Sequence, residues 1–207
     1  MKPCLFIFAL TCTINCFSQS DSTKYLNRLK VGYGNFYPLK SNFGSSLKHL
    51  NNQYDYPLHC IYITVEHQKF SDLGFTYFIN QIKYNPDHAK TNWFATNFHH
   101  ILKYNLTSKN KYMSLFVGGG ALFGAQFITV RKDETETFRN FNASLVPHLE
   151  LRIRATKRLG VGLVSNFLFD LTKPTWKSFE KTRYSVSDNK FSGTMVNLYI
   201  GWSYMKL

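Results

Sequence analysis

Two histidines stand side by side at His99 and His100, and a third, His148, lies two residues before Glu150. Imidazole and carboxylate are the groups of acid–base catalysis and metal binding, so chemistry is sought there first. What they can do depends on the element that carries them. On a strand, adjacent side chains point to opposite faces. His99 and His100 then cannot close on one ion, whereas His148 and Glu150 share a face with Arg152 and Arg154. A paired polar network is the reading for that row. Gly118–Gly120 lacks the Lys-Ser/Thr ending of a phosphate loop, and the chain contains no HExxH and no CxxC. Ser45, Ser46, His49 and Asp55 offer the residue types of acyl transfer, but a long polar loop of this composition supplies them in any case. No catalytic residue, metal or cofactor is expected.

The elements that position these groups follow from composition and periodicity. The chain has 207 residues, 44% hydrophobic, 18% charged and 17% aromatic, with 19 Phe and 13 Tyr. Disorder is excluded by the aromatics, and a multi-helix membrane protein by a mean hydropathy of -0.25. A membrane barrel is not excluded, because alternating strands average to moderate hydropathy. Residues 1–18 read as a cleavable secretory signal: Lys2, the apolar run Leu5–Leu10, then small residues at Cys16 and Ser18. Its removal takes three of the four cysteines and leaves Cys60 alone, so no disulfide framework is expected. The formal charge falls only from +13 to +12, since Lys2 is the one charge lost.

Residues 19–207 read as one domain of two-faced strands. Val196, Leu198, Ile200, Trp202 and Tyr204 alternate with Asn197, Tyr199, Gly201 and Ser203. Residues 143–155 repeat the pattern, with Pro147 a defect that implies a bulge or a weak point in pairing. Further segments lie at 29–34, 61–66, 75–80, 94–106 and 161–172. Met113–Val130 has no charge over 18 residues and a GxxxG at Gly120 and Gly124, yet its successive glycines and period of two favour a long strand over a helix. The count is eight. Connections of alternating length are expected, including 70–73 and 131–142. The fold class is all-β: a single eight-stranded antiparallel up-and-down transmembrane β-barrel.

Eight strands give an interior just wide enough for side chains to fill. Lys30, Glu66, His99, Lys103, His148, Glu150, Arg152, Arg154 and Asp170 are assigned to a paired lumenal network, alongside Asn80, Asn97 and other polar residues. Charges in so narrow a space must pair, which implies a plugged lumen. Tyr33, Trp93, Tyr104, Trp202 and Tyr204 are candidates for interfacial girdles.

With a signal ending Phe-Ser-Gln, eight two-faced strands and a final strand VNLYIGWSY, residues 19–207 resemble the small outer-membrane β-barrels: OmpX, the OmpA barrel domain and related Bacteroidetes proteins. The resemblance implies an integral protein of a Gram-negative outer membrane, a monomer inserted by the barrel-insertion machinery. It implies a non-enzymatic structural, adhesive or surface-interaction role. The excess positive charge is dispersed, which speaks against nucleic acid. Loop bases Lys173, Lys177, Lys181 and Arg183 are assigned to the phosphates of lipopolysaccharide. Two other readings stay open. One is a lipid-modifying barrel enzyme, although none of the seven histidines has Ser two positions later. The other is a soluble lipocalin-like binder, in which the apolar faces would turn inward and the charged faces outward.

Overall fold

The computed structural model describes residues 26–39, 58–67, 69–83, 90–107, 112–131, 135–156, 158–172, 176–178 and 191–205. The expected signal segment, 1–18, lies outside them. The strands are β1 (Leu26–Pro38), β2 (Leu58–His67), β3 (Ser71–Lys83), β4 (Lys90–Asn105), β5 (Met113–Arg131), β6 (Thr135–Arg154), β7 (Leu159–Asp170), the two-residue β8 (Lys177–Ser178) and β9 (Gly193–Met205). Each long strand pairs antiparallel with the next, and β9 pairs with both β7 and β1. Eight strands thus close into an up-and-down barrel, and β8 merely adds to β6 opposite Phe138 and Arg139. Closure leaves no open ring edge, the condition for backbone to cross a bilayer.

Pairing is staggered. From Arg152 on β6 the partners run through Gly162, Tyr199, Gly32, Tyr62, Thr76, Asn97 and Gly124, and return to β6 at Asn142. That offset tilts the strands, as a closed barrel of this size requires. Every position on this path has the inward parity.

The two faces differ sharply. Leu198 is 70% exposed, whereas its neighbours Asn197 and Tyr199 are 0% and 3% exposed. Leu29, Val31, Ile61, Ile63, Phe75, Phe98, Phe123, Leu149, Leu163, Phe167 and Ile200 also lie on the outside. In water an apolar belt around the whole molecule would be a severe aggregation liability; in hydrocarbon it is the proper surface. The inverted, lipocalin-like arrangement is therefore overturned: charge is inside and apolar surface outside.

The interior has two storeys. Near the chain termini it is charged. At the far end apolar side chains predominate, among them Phe36, Leu58, Phe78, Trp93, Ile128, Phe138, Leu168, Phe191 and Met195. Phe191 precedes β9 and enters this mouth, 4.7 Å from Phe36, 5.1 Å from Phe78 and 5.6 Å from Trp93 between ring centroids. Trp93, expected in a girdle, is 1% exposed and lines the mouth from within. Its odd position on β4 shares the parity of Asn97 and His99, which decides the matter. Tyr33, Tyr104 and Trp202 are exposed on the outside, and the side chains of Asn80 and Tyr204 lie outside what is described.

Two further expectations need correction. β6 begins at Thr135, so the connection expected over 131–142 shrinks to 132–134, and the connections do not alternate strictly in length. β3 begins at Ser71, so the connection expected at 70–73 ends before it. At Pro147 the β6–β7 ladder omits Val146 and Pro147 but resumes in the same register, from Leu145 opposite Phe169 to His148 opposite Asn166. The proline, having no N–H to give, opens a gap without producing a bulge.

Candidate functional site: a closed charge cluster in the lumen

Five strands bring six charged side chains to one level of the barrel: Lys30 from β1, Glu66 from β2, Asp72 from β3, Lys103 from β4, and Glu150 and Arg152 from β6. The four carried by β1–β4 are at or below 5% exposure, as is Glu150, and Arg152 is at 6%. Each projects inward because its parity is that of the barrel interior. They meet because consecutive strands run in opposite directions, so the ends of β2, β4 and β6 lie level with the starts of β1, β3 and β5.

The geometry is that of a shared lattice. Lys30 Nζ donates to Asp72 Oδ2 at 2.8 Å and Glu150 Oε2 at 2.9 Å, and lies 3.0 Å from Glu66 Oε2. Lys103 Nζ donates to Glu66 Oε2 and Glu150 Oε2 at 2.7 Å each and to Asp72 Oδ2 at 2.9 Å. Arg152 spans Glu66 and Glu150: Nη1 donates to Glu66 Oε1 at 3.2 Å, Nη2 to Glu150 Oε1 at 2.7 Å and also to Glu66 Oε2. The Tyr199 hydroxyl donates to Glu150 Oε1 and accepts from Arg152 Nε. Rings complete the cage, with Phe116 4.9 Å from Lys103 Nζ and 4.4 Å from the Arg152 guanidinium carbon. Three carboxylates face three bases in these ion pairs, which offsets the cost of desolvating them. Buried Arg28 on β1, opposite Glu66, is a fourth base at this level that bonds Ser203 instead.

Glycine makes the fit. A methyl at Gly162 would lie 2.5 Å from two carbons of the Tyr199 ring, and one at Gly201 would lie 2.8 Å from Cδ of Arg28. Here the missing Cβ is used for close approach, the room into which a long side chain from the next strand lies down. Arg28 in turn donates from Nε to Ser203 Oγ at 2.9 Å.

Of the nine residues expected in one network, the structure gathers five in the lattice: Lys30, Glu66, Lys103, Glu150 and Arg152. His148 borders it, with Nδ1 2.7 Å from Asn166 Oδ1 and Nε2 3.6 Å from Glu150 Oε2. His99 sits apart, bonded with Thr64 and Thr76 at 3.2 Å each and stacked on Tyr62. Asp170 is buried at the far end instead. It accepts from the Phe191 N–H at 2.7 Å and from Thr172 N–H and Oγ1 at 2.9 and 2.6 Å, closing the base of the last long connection. Arg154, on the inward parity but the last residue of β6, is exposed and outside the network. Asp72 is the residue that sequence reasoning missed. It has the parity of Thr76 and Phe78, and extending the 75–80 alternation by three residues towards the N-terminus finds it.

The chemistry open to the cluster is narrow. Glu150 is saturated by Lys30, Lys103, Arg152 and Tyr199, so it has no free lone pair with which to act as a base beside His148. Asp72, His148 and Glu150 do bring donor atoms within 4.8 Å of one another. Both lysine ammoniums already sit on those carboxylates and supply the positive charge that a cation would bring. His99 and His100 face opposite sides of the wall, and His100 bonds with Ser71 Oγ at 2.9 Å on the outside. Ser45, Ser46, His49, Asp55, Lys173, Lys181 and Arg183 lie outside the described residues. Lys177 is exposed on β8, opposite Arg139.

No protein-family model matches the sequence, and no curated protein matches it. Among solved structures the chain is similar to a major outer membrane protein from Thermus thermophilus. The TM-score is 0.59 at 7% identity, covering 86% of this chain and 98% of that one. It is also similar to Neisserial surface protein A, with a TM-score of 0.51 at 7% identity, covering 89% of this chain and 100% of that one. The shared property is the fold: a closed antiparallel β-barrel.

Proposed function

We propose that the protein is a non-enzymatic integral barrel of a Gram-negative outer membrane, exported through a signal peptide, with a structural, adhesive or surface-interaction role. The observation that carries this reading is the continuous apolar outer face set against a charged, filled interior. Such a molecule is soluble in lipid and closed to solutes. It works as a monomer, contacts the outer-membrane lipid around it and is inserted by the barrel-insertion machinery. Lys173, Lys177, Lys181 and Arg183 at the far end contact lipopolysaccharide phosphates, because anionic headgroups at a lipid surface are the nearest partners for loop bases.

Membrane fractionation with gel mobility before and after boiling tests the reading. Recovery in the outer-membrane fraction, with a folded band that shifts on heating, is expected; recovery in the soluble periplasmic fraction would sink it. Neutralising the four loop bases together should lower lipopolysaccharide association, and unchanged association would remove that part of the proposal.

A further inference from the structure

The bases not used in the lumen are sorted between the two ends of the barrel. The described chain ends, Leu26 and Met205, and the connections 68–70, 106–112 and 155–158 lie at one end. The connections 39–57, 84–89, 132–134 and 171–192 lie at the other. Each far-end connection carries an acid: Asp55; Asp87; Asp133 and Glu134; Glu180 and Asp188. The three turn-end connections carry none, while they hold Lys69, Lys109, Lys111, Lys157 and Arg158. Lys69 and Arg158 are exposed, as is Arg154 beside them.

Nothing inside offsets that charge. Glu66, Asp72 and Glu150 belong to the strand ends nearest this rim, but all three are turned into the lumen and matched there by Lys30, Lys103 and Arg152. Among the described residues no acid is exposed at this end. Exposed Phe70, Tyr104 and Tyr112 stand among the bases. The turns are fixed to the wall: the Phe70 carbonyl accepts from Lys103 N–H at 2.8 Å, and the Tyr112 carbonyl from Arg154 N–H at 2.7 Å. Aromatic side chains with amphipathic rings favour the headgroup level, and bases there are drawn to negative lipid.

We propose that this rim, with Lys69, Arg154 and Arg158 as its described contacts, binds the anionic phospholipid headgroups of the leaflet at the chain-terminal end. The inference rests on the barrel spanning a membrane, and it gives the two leaflets different partners. The far end, with mixed charge, meets one surface; the basic rim prefers a bilayer carrying net negative phosphate.

The test uses the full folded protein in vesicles of phosphatidylcholine and phosphatidylglycerol, with a spin-labelled probe of each lipid. The wild-type protein is expected to favour phosphatidylglycerol by about five-fold, the effect of roughly one surface base. High salt should suppress the preference. The variant Lys69→Asn, Arg154→Gln, Arg158→Gln should bring the ratio close to unity; asparagine is chosen because Lys69 has a φ of 61°. The control Arg131→Gln, at the far end of β5, should keep the preference. A wild-type ratio near unity, or a preference lost in the control and kept in the turn-end variant, overturns the proposal. Heat-shifted mobility on the same samples reports insertion, so a wild-type protein that does not insert refutes the membrane reading and is a separate failure. If the triple variant does not fold, Arg158→Gln alone, an exposed turn position, must still lower the ratio.

Discussion

At the scale of single residues, the chain stakes its stability on completeness. Each lumenal carboxylate of the lattice touches at least two bases, so no member can be removed without stranding a buried charge. Lys103→Met is expected to destabilise the folded barrel by about 3–5 kcal/mol, read from urea unfolding in lipid. Adding Glu66→Gln, which removes a negative charge from the same lattice, should recover part of that loss; a strictly additive double variant would show the two are not coupled. Gly162→Val should cost about 1–3 kcal/mol by pushing against the Tyr199 ring. Pairing Gly162→Val with Tyr199→Ser relieves the collision, although it also forfeits the hydroxyl's bond geometry with Glu150. Most of the lattice was legible in the sequence because a period of two assigns faces without reference to tertiary structure. Asp72 was not, since it sits at the second position of a strand whose start looked like a turn. Arg154 has the right parity, but the strand ends there and its head reaches water. Parity fixes a face; only the position of the strand end fixes depth.

At the scale of elements, strand number was legible and strand length was not. β6 carries Phe138 inward and Phe141 outward, and charge on both sides at Glu136 and Arg139. Above the lipid belt the outer face need not be apolar, so amphipathic contrast fades while the strand continues. The same weakening concealed the apolar mouth. Residue type alone does not tell an aromatic facing the lumen from one facing lipid; for Trp93 the side follows from the parity it shares with Asn97 and His99, one residue beyond the 94–106 alternation. Phe191→Ala should cost about 3–5 kcal/mol, because it empties a mouth packed by Phe36, Phe78 and Trp93. Pro147→Val restores a donor to the gap between β6 and β7. It should add about 0.5–1.5 kcal/mol and show a newly protected amide at position 147 in hydrogen exchange. An unprotected amide there would mean that the gap has another cause.

At the scale of the whole molecule, a charged storey and an aromatic storey lie in series along the axis. Both are lined by buried side chains, and the purified barrel in planar bilayers is expected to give no steady conductance, and its vesicles not to swell in small sugars. Open-channel currents in the wild type would contradict a filled interior. The ring also imposes an order of events. Lys30 comes from the first strand and Glu150 and Arg152 from the sixth, and they face one another only when β9 has joined β1. Lys103 reaches Asp72 and Glu66 across β2–β4, and Arg152 reaches Glu150 on its own strand, but in an unclosed sheet Lys30 lacks Glu150 and Arg152 lacks Glu66. Closing the ring is therefore what completes the lattice, so the β1–β9 seam and the cross-lumen ion pairs stabilise one another.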